Sequence, residues 1–165
     1  MTTLVQDGHI AIDNWLSLDG DLERWLAVGE DGLVPDFPTD ADLIAPLALL
    51  QARGDELLER NGRTGVLLEP HDDPAEVAAA VNRLALVALN FPKFSDGRGY
   101  SNARLLRERY GFRGELRAVG DVLRDQLLFM QRCGFDAFEL REDQDPVEAL
   151  TAFGEFTEQY QASYA

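Results

Sequence analysis

The residues best suited to chemistry lie in one connection, FPKFSDGRGYSNAR over residues 91–104, where glycines, cations, an aspartate and a serine stand together. Residues 93–132, the basic island, hold 9 Lys/Arg and 5 Asp/Glu, a net charge of +4 (9 − 5) in a chain whose net charge is −15. This reversal of sign predicts an anion site formed by Lys93, Arg98 and Arg104. Two or three charge-assisted hydrogen bonds, at about 1.5–3 kcal/mol each, would hold a sulfate- or phosphate-sized group.

Two predicted helix starts bring further residues to the same place. Ser101 and Asp121 are each expected to cap a helix that follows a strand, and Gly120-Asp121 is a very tight turn. Ligands of parallel α/β folds bind at the carboxyl ends of strands, where helix N-termini favour anions. The predicted ligand-binding residues are therefore Lys93, Gly97, Arg98, Gly99, Tyr100, Ser101, Arg104, Gly120, Asp121, Arg124 and Asp125.

A catalytic interpretation of this region uses Lys93, Asp96 and Asp121 as acid–base groups. Asp121 and Asp125 lie one helical turn apart, with Arg124 beside them, so they could also position a metal. Acids in a first helical turn more often complement the helix dipole and pair with a neighbouring arginine. We therefore predict no metal site.

Cofactor motifs are absent from the sequence. Gly97-Arg98-Gly99 resembles the start of G-x-G-x-x-G, but Asn102 replaces the third glycine and five residues separate the strand from the first. The single cysteine, Cys133, excludes an internal disulfide and a multi-cysteine cluster within one chain. It lies on the apolar side near the end of its predicted helix, so we expect a buried, inert thiol. No cofactor is evident.

The elements that must position these residues alternate about five times between strand and helix. Predicted strands cover 42–44, 64–68, 84–91, 115–119 and 135–140, and predicted helices cover 46–60, 74–83, 101–110, 122–133 and 146–160. This alternation predicts an α/β fold with a mainly parallel sheet built from repeated βα units. Residues 1–40 are expected to form a less regular N-terminal extension, with a short strand at 9–12 and a short helix at 21–28. A βα-repeat body over 41–165 completes a single domain.

Two charges favour a barrel-like curl of the sheet. Arg117 and Glu139 lie within strands that otherwise look buried. Inward charges are easier to keep where strands converge on a polar interior, and there the two side chains would pair. The alternative is that both lie near sheet edges in solvent. Periodicity leaves both an open sheet and a partial barrel available.

The overall charge limits the partners. A net charge of −15 argues against binding nucleic acid or an anionic membrane over a broad surface. The first 20 residues lack an export signal, and no apolar run approaches the roughly 20 residues that cross a bilayer. We therefore expect a cytoplasmic protein with no nucleic-acid or membrane partner.

Four segments carry a family resemblance: FPKFSDGRGYS, LLRERYG, GELRAVGDVLRDQ and RCGFDAF, all within residues 91–140. They resemble an uncharacterised bacterial family that has a domain of unknown function and is described as oxidoreductases of sulfite reduction. The resemblance implies a place in sulfur assimilation, with sulfite reductase or another sulfate-assimilation enzyme as partner. It transfers no catalytic residue.

Three functions remain in competition. The first is an accessory protein of assimilatory sulfite or sulfate reduction with an oxyanion- or phosphate-binding pocket. The second is a small enzyme or oxidoreductase of sulfite reduction on an unknown substrate, which would borrow its cofactor. The third is a protein–protein module that docks on sulfite reductase through the basic island.

Overall fold

The computed structural model describes residues 2–18 and 22–153 of the 165-residue chain. The strands of this part are β1 Thr3–Gln6, β2 His9–Ala11, β3 Leu16–Ser17, β4 Leu43–Pro46, β5 Thr64–Leu68, β6 Leu86–Phe91, β7 Glu115–Gly120 and β8 Ala137–Leu140. The α-helices are α1 Leu22–Leu26, α2 Leu47–Glu59, α3 Arg98–Arg104, α4 Leu127–Cys133 and α5 over 146–153. Two 3₁₀ segments, Pro74–Ala80 and Arg124–Gln126, and a π turn, Leu105–Arg109, complete the described elements.

All eight strands belong to one sheet, in the order β2-β1-β8-β7-β6-β5-β4-β3. From β3 to β8 the neighbours are parallel and follow chain order, whereas β1 is antiparallel to both β8 and β2. Right-handed crossovers that always advance in one direction place successive helices on the same face. The sheet is curled into a half-barrel with its helices interleaved between the strands, so the predicted α/β class, parallel sheet and curl are confirmed.

The curl is required by the short link between the two edge strands. β2 ends at Ala11 and β3, at the opposite edge, begins at Leu16. Five residue steps reach at most about 18 Å. The edges of a flat eight-stranded sheet would lie about 34 Å apart, since neighbouring strands are about 4.8 Å apart. Residues 12–15, the N-terminal link, can therefore join the edges only because the sheet bends.

Each face of the sheet has its own apolar cluster. Val87, Leu89 and Phe91 of β6 belong to the main core, together with buried helix residues such as Leu106 and Leu127. The alternate residues Leu86 and Ala88 join Ile44 in a smaller cluster, with Trp15, Leu67 and Val119 packed against it. Side chains of a strand alternate between faces, so this second cluster lines the concave face that the helices leave open.

The N-terminal region contributes more to the sheet than the sequence predicts. The expected strand and helix are present as β2 and α1, and Trp25 of α1 is buried. β1 and β3 were not predicted. The segment expected as a helix at 74–83 is a 3₁₀ helix over Pro74–Ala80, with Asp73 accepting from the Ala75 amide as a cap. The part of the last predicted helix beyond residue 153 lies outside the described residues. Within the described ranges, no helix is long and apolar enough to cross a membrane.

Candidate functional site

Residues 92–97, which include the predicted site residues Lys93, Asp96 and Gly97, form the loop after β6. Together with Arg98 at the start of α3, this loop surrounds an open depression of about 540 Å³. Asp96 and Arg98 are paired across this loop. The Arg98 Nη2 and Nε atoms donate to the Asp96 carboxylate over 2.7 and 3.0 Å, and the Arg98 amide donates over 3.1 Å. This pairing lowers the pKa of Asp96 and raises that of Arg98. The charge of Arg98 is therefore already balanced, and exposed Lys93 remains as the cation of the depression.

The other predicted cations lie elsewhere. Arg104 is exposed at the C-terminal end of α3, where interaction with the Cys133 side chain at the end of α4 raises its pKa. Arg124 faces α5, with Nη2 donating to the Thr151 hydroxyl over 3.1 Å. Asp125 lies 3.8 Å from Arg124 and is exposed. Arg104 therefore lies outside the depression that Lys93 and Arg98 line, whereas one site shared by the three cations was expected.

The predicted helix caps Ser101 and Asp121 are both wrong. Ser101 lies inside α3, which begins at Arg98, and its hydroxyl is 3.5 Å from the Gly97 carbonyl oxygen. Asp121 accepts from the Phe94 amide over 2.9 Å and from Arg141 over 2.6 Å, while α4 begins only at Leu127. Ser101 and Asp121 therefore cap neither helix, although α3 and α4 do begin close together, since the Tyr100 hydroxyl lies 3.1 Å from the Gln126 side chain at the start of α4. Asp121 instead fixes the loop after β6 to the end of β8.

Three of the remaining predicted residues, Gly99, Tyr100 and Gly120, serve packing or a turn. Tyr100 packs between Phe91 and Phe129, with ring centroids 5.1 and 4.8 Å apart, and burial raises the pKa of its phenol. A Cβ on Gly99 would lie 2.5 Å from the Phe91 ring, so glycine is needed there for close packing. Gly120 has φ +93°, a conformation that favours glycine. Gly97 has φ −69° and open space around its Cα.

A different site lies on the concave face, at the carboxyl ends of the central strands. This cavity, the concave pocket, has a volume of about 320 Å³. Its apolar floor comes from the second cluster, and its polar groups come from the link and the strand ends. Its lining residues are Asp13, Trp15, Ser17, Ile44, Leu67, Glu69, Ala88, Asn90, Val119, Gly120 and Glu139.

Arg117 lies beneath this pocket and is 1% exposed. Its guanidinium is 2.8 Å from Glu115, 3.0 Å from Asp13 and 3.7 Å from Glu139. Burial raises the pKa of Glu139, and Arg117 offsets part of that effect. The predicted inward pairing of Arg117 with Glu139 is therefore confirmed. Asp13 adds a contact that attaches the N-terminal link to β7.

The upper wall of the pocket joins two strand ends. The Asn90 side-chain nitrogen donates to Glu69 Oε2 over 2.8 Å. Glu69 follows β5 directly and Asn90 is the penultimate residue of β6, so parallel pairing brings them together at one edge. Trp15 closes the opposite side, with the Arg63 guanidinium 4.9 Å from its ring centroid.

Sequence analysis missed this pocket, although one signal for it was available. Glu69 and Asn90 are single polar residues at the ends of apolar strand segments, the positions where parallel α/β folds place ligand-binding groups. Asp13 and Trp15 carry no comparable signal, because the link reaches the pocket only through the curl of the sheet. Among the residues with a described placement, no group of three or more His, Cys, Asp or Glu side chains could hold a metal ion.

The basic island is not one surface. Arg117 lies inside the half-barrel, and Arg107 donates to the backbone carbonyls of Phe112, Gly114 and Gly134. The depression of residues 92–98 is open, whereas the concave pocket is the more enclosed and has convergent polar groups. The concave pocket is therefore the stronger candidate for a binding site.

Comparison with known proteins identifies a family without assigning an activity. No curated protein matches the chain. Residues 65–165, which include all but the first residue of β5, the whole of β6 to β8 and most of the concave pocket's wall, match the family described as bacterial protein of unknown function, DUF934. This match covers more than half of the sequence, and the chain therefore belongs to the DUF934 family of bacterial proteins.

Proposed function

We propose that this protein is an accessory protein of assimilatory sulfite or sulfate reduction that binds a small ligand in its concave pocket. The supporting observation is the pocket itself: about 320 Å³ at the carboxyl ends of parallel strands, with an apolar floor and convergent polar groups. The metabolic part of the proposal depends on the sequence resemblance of residues 91–140. In this role the reductase performs the chemistry and the accessory protein supplies or senses the ligand.

Deletion and complementation test this proposal. A deletion strain should grow slowly on sulfate or sulfite as sole sulfur source and normally on cysteine. Val119 lines the pocket near the end of β7, so Val119→Phe should fill the cavity and fail to restore growth. Val28→Phe, at an exposed loop position, is the matched control and should restore it fully.

Folding must be checked in the same experiment. Urea midpoints and protein levels of the two variants should agree with the wild type, because Val119 is only partly buried. Growth of the deletion strain at the wild-type rate on both sulfur sources would refute the role in sulfur assimilation. Full complementation by Val119→Phe would refute the use of the pocket.

The oxyanion version of the proposal places the ligand in the depression of residues 92–98. Lys93 would supply the charge there, since Arg98 is held by Asp96. Sulfite, sulfate and phosphate titrations should then raise the melting temperature of the wild type and have no effect on Lys93→Gln. Equal shifts in both proteins would exclude this site.

A docking role is the second candidate, because one surface has the composition of an interface. Phe94 and Phe129 are 44% and 47% exposed, although large apolar side chains are usually buried. Tyr100 joins them, since its ring packs on Phe129 and its hydroxyl oxygen lies 3.3 Å from the Phe94 carbonyl oxygen and 3.1 Å from Gln126 Oε1. Exposed Lys93 adjoins this aromatic surface. Exposed aromatic residues surrounded by a polar rim are typical of protein interfaces.

Affinity capture with purified sulfite reductase tests the docking role. Phe94→Ser combined with Phe129→Ser should abolish capture, whereas Leu33→Ser, at another exposed apolar position, should leave it unchanged. Capture that weakens as salt rises would agree with a contribution from Lys93. Equal capture of the reductase by the two variants would show that this aromatic surface is not the docking site.

A further inference from the structure

The concave pocket combines an apolar floor with polar groups of one kind. Ile44, Leu67, Ala88 and Val119 form the floor, and the Trp15 ring packs against the same cluster. The volume of about 320 Å³ lies at the small end of ligand pockets, so it suits a short molecule rather than a nucleotide-sized one. The floor therefore selects for a short apolar body.

The charged residues that line the pocket are all acidic. Asp13, Glu69 and Glu139 line it, and no lysine or arginine does. Arg117 and Glu115 lie beneath them. Four carboxylates and one guanidinium give a formal charge of −3 when all are ionised. A sulfite, sulfate or phosphate ion would add negative charge to this site, whereas a cation would reduce the repulsion.

Hydrogen-bond acceptors also outnumber donors. The Asn90 amide donates to Glu69 Oε2, and Arg117 donates to Glu115 and to Asp13. Glu69 Oε1 has no hydrogen-bond partner within the described part of the chain. Glu139 Oε1 accepts from the Thr2 hydroxyl over 3.2 Å, whereas its Oε2 has an ion pair with Arg117 at 3.7 Å, which is too long for a hydrogen bond. Two carboxylate oxygens on different strand ends are therefore available to a ligand that donates.

We infer that the concave pocket binds a small organic cation: a primary ammonium group on a short apolar body. An ammonium offers three donors and no acceptor, which fits the surplus of carboxylate oxygens. Its apolar body would lie on the floor of the pocket, and its charge would lie between Glu69 and Glu139. This inference rests on the proposed function only in taking the concave pocket as the binding site.

The two tryptophans make the binding test site-specific. Trp15 lines the pocket, while Trp25 is buried in the main core against Phe37. A ¹H–¹⁵N spectrum therefore has one indole signal from the pocket and one internal reference, assigned with Trp15→Phe. Butylammonium chloride should shift the Trp15 signal saturably and leave the Trp25 signal in place. Butanol, sodium chloride at equal ionic strength, and sodium sulfite or sulfate should not reproduce the shift.

Variants that replace a glutamate by glutamine test whether Glu69 and Glu139 bind the ammonium group. Glu69→Gln and Glu139→Gln should each weaken butylammonium binding at least tenfold, since each removes a charged acceptor. Glu108→Gln, at an exposed helix position, should bind as the wild type does. An unchanged Trp25 signal checks that each variant is folded. The inference is overturned if sodium chloride gives the same shift, if butanol binds equally well, or if both glutamine variants keep wild-type affinity.

The inference and the proposed function can fail separately. A growth defect restored by the wild type and not by Val119→Phe, combined with no butylammonium binding, would retain the proposed function and remove the ligand class. Saturable binding in a protein whose deletion leaves growth on sulfate unchanged would retain the ligand class and remove the role in sulfur assimilation.

Discussion

Arg117→Met should be one of the most destabilising single substitutions in this chain. Arg117 is 1% exposed and lies within 4 Å of three carboxylates, those of Asp13, Glu115 and Glu139. Methionine has a similar length and no charge, so the substitution removes the cation and largely keeps the packing. Three negative charges are then left together without the cation that they share, although each carboxylate keeps a neutral hydrogen-bond donor.

The expected loss of folding free energy depends on how exposed the three carboxylates are. Removing one member of a buried ion pair costs about 3–5 kcal/mol, because the remaining charge is uncompensated. The side chains of Asp13, Glu115 and Glu139 are 34%, 14% and 25% exposed, so water reaches them in part. We therefore expect the low end of that range, about 3 kcal/mol. This is a large share of the roughly 5–15 kcal/mol that stabilises a typical domain.

The stability that Arg117→Met removes should also depend on pH. Burial already raises the pKa of Glu139, and Arg117 lowers it in part. Without Arg117 the folded-state pKa rises further above the unfolded value. A carboxyl with a raised folded pKa contributes stability at pH values below its unfolded pKa, and this contribution is lost as pH rises through the folded pKa. Arg117→Met should therefore cost more at pH 7.5 than at pH 5.

Urea unfolding at pH 5 and pH 7.5, followed by circular dichroism, measures both effects. Arg109→Met, at an exposed position, is the control and should change the free energy of unfolding by less than about 0.5 kcal/mol. Adding Glu139→Gln to Arg117→Met should recover stability, although Glu139→Gln alone should not increase it. A loss below about 1 kcal/mol, or equal losses at the two pH values, would refute this account of the buried cluster.

Three further predictions concern residues that the sequence singled out. Gly120→Ala should lower stability by about 2 kcal/mol or more, because φ is +93° and the new Cβ would lie 2.5 Å from the Phe91 carbonyl oxygen. The control Gly97→Ala, at φ −69° with open space around it, should change stability little. Equal melting temperatures of the two variants would contradict this prediction. Cys133 is 2% exposed, so iodoacetamide should label it at least about 100-fold faster in the unfolded chain, and comparable rates would show an accessible thiol. Asp121→Asn should speed amide exchange at Phe94, whose N–H it accepts over 2.9 Å, and unchanged exchange would mean that the loop is held by other contacts.

The parallel strands were predictable because their signals are local. β6 lies within an almost wholly apolar run, and such runs are typical of strands covered on both faces. The inward pair of Arg117 and Glu139 was predictable for the same reason, since each charge interrupts an apolar strand. Alternation, strand length and an out-of-place charge can all be recognised within a few residues.

The predicted roles of Asp121 and Arg98 differ from the structure because a side chain's partner is set by tertiary structure. Asp121 has the residue type and position of a helix cap, but the Phe94 amide and Arg141 occupy its oxygens. Arg98 has the charge of an anion ligand, but Asp96 is two residues away and turns back to meet it. The sequence shows which residue types stand at these positions. It does not show which neighbouring groups form hydrogen bonds with them in the folded chain.

The pocket depends on closure, which local patterns do not encode. β1 pairs with β8 through contacts such as Thr3 with Leu140, and these are invisible without the fold. Once β2 and β3 occupy opposite edges, a link of five steps forces the sheet to curl and carries Asp13 to Arg117. The curl then turns the concave face into a cavity, and Glu69, Asn90 and Glu139 converge on it. The N-terminal segment that looked least regular in sequence is therefore the element that closes the concave pocket.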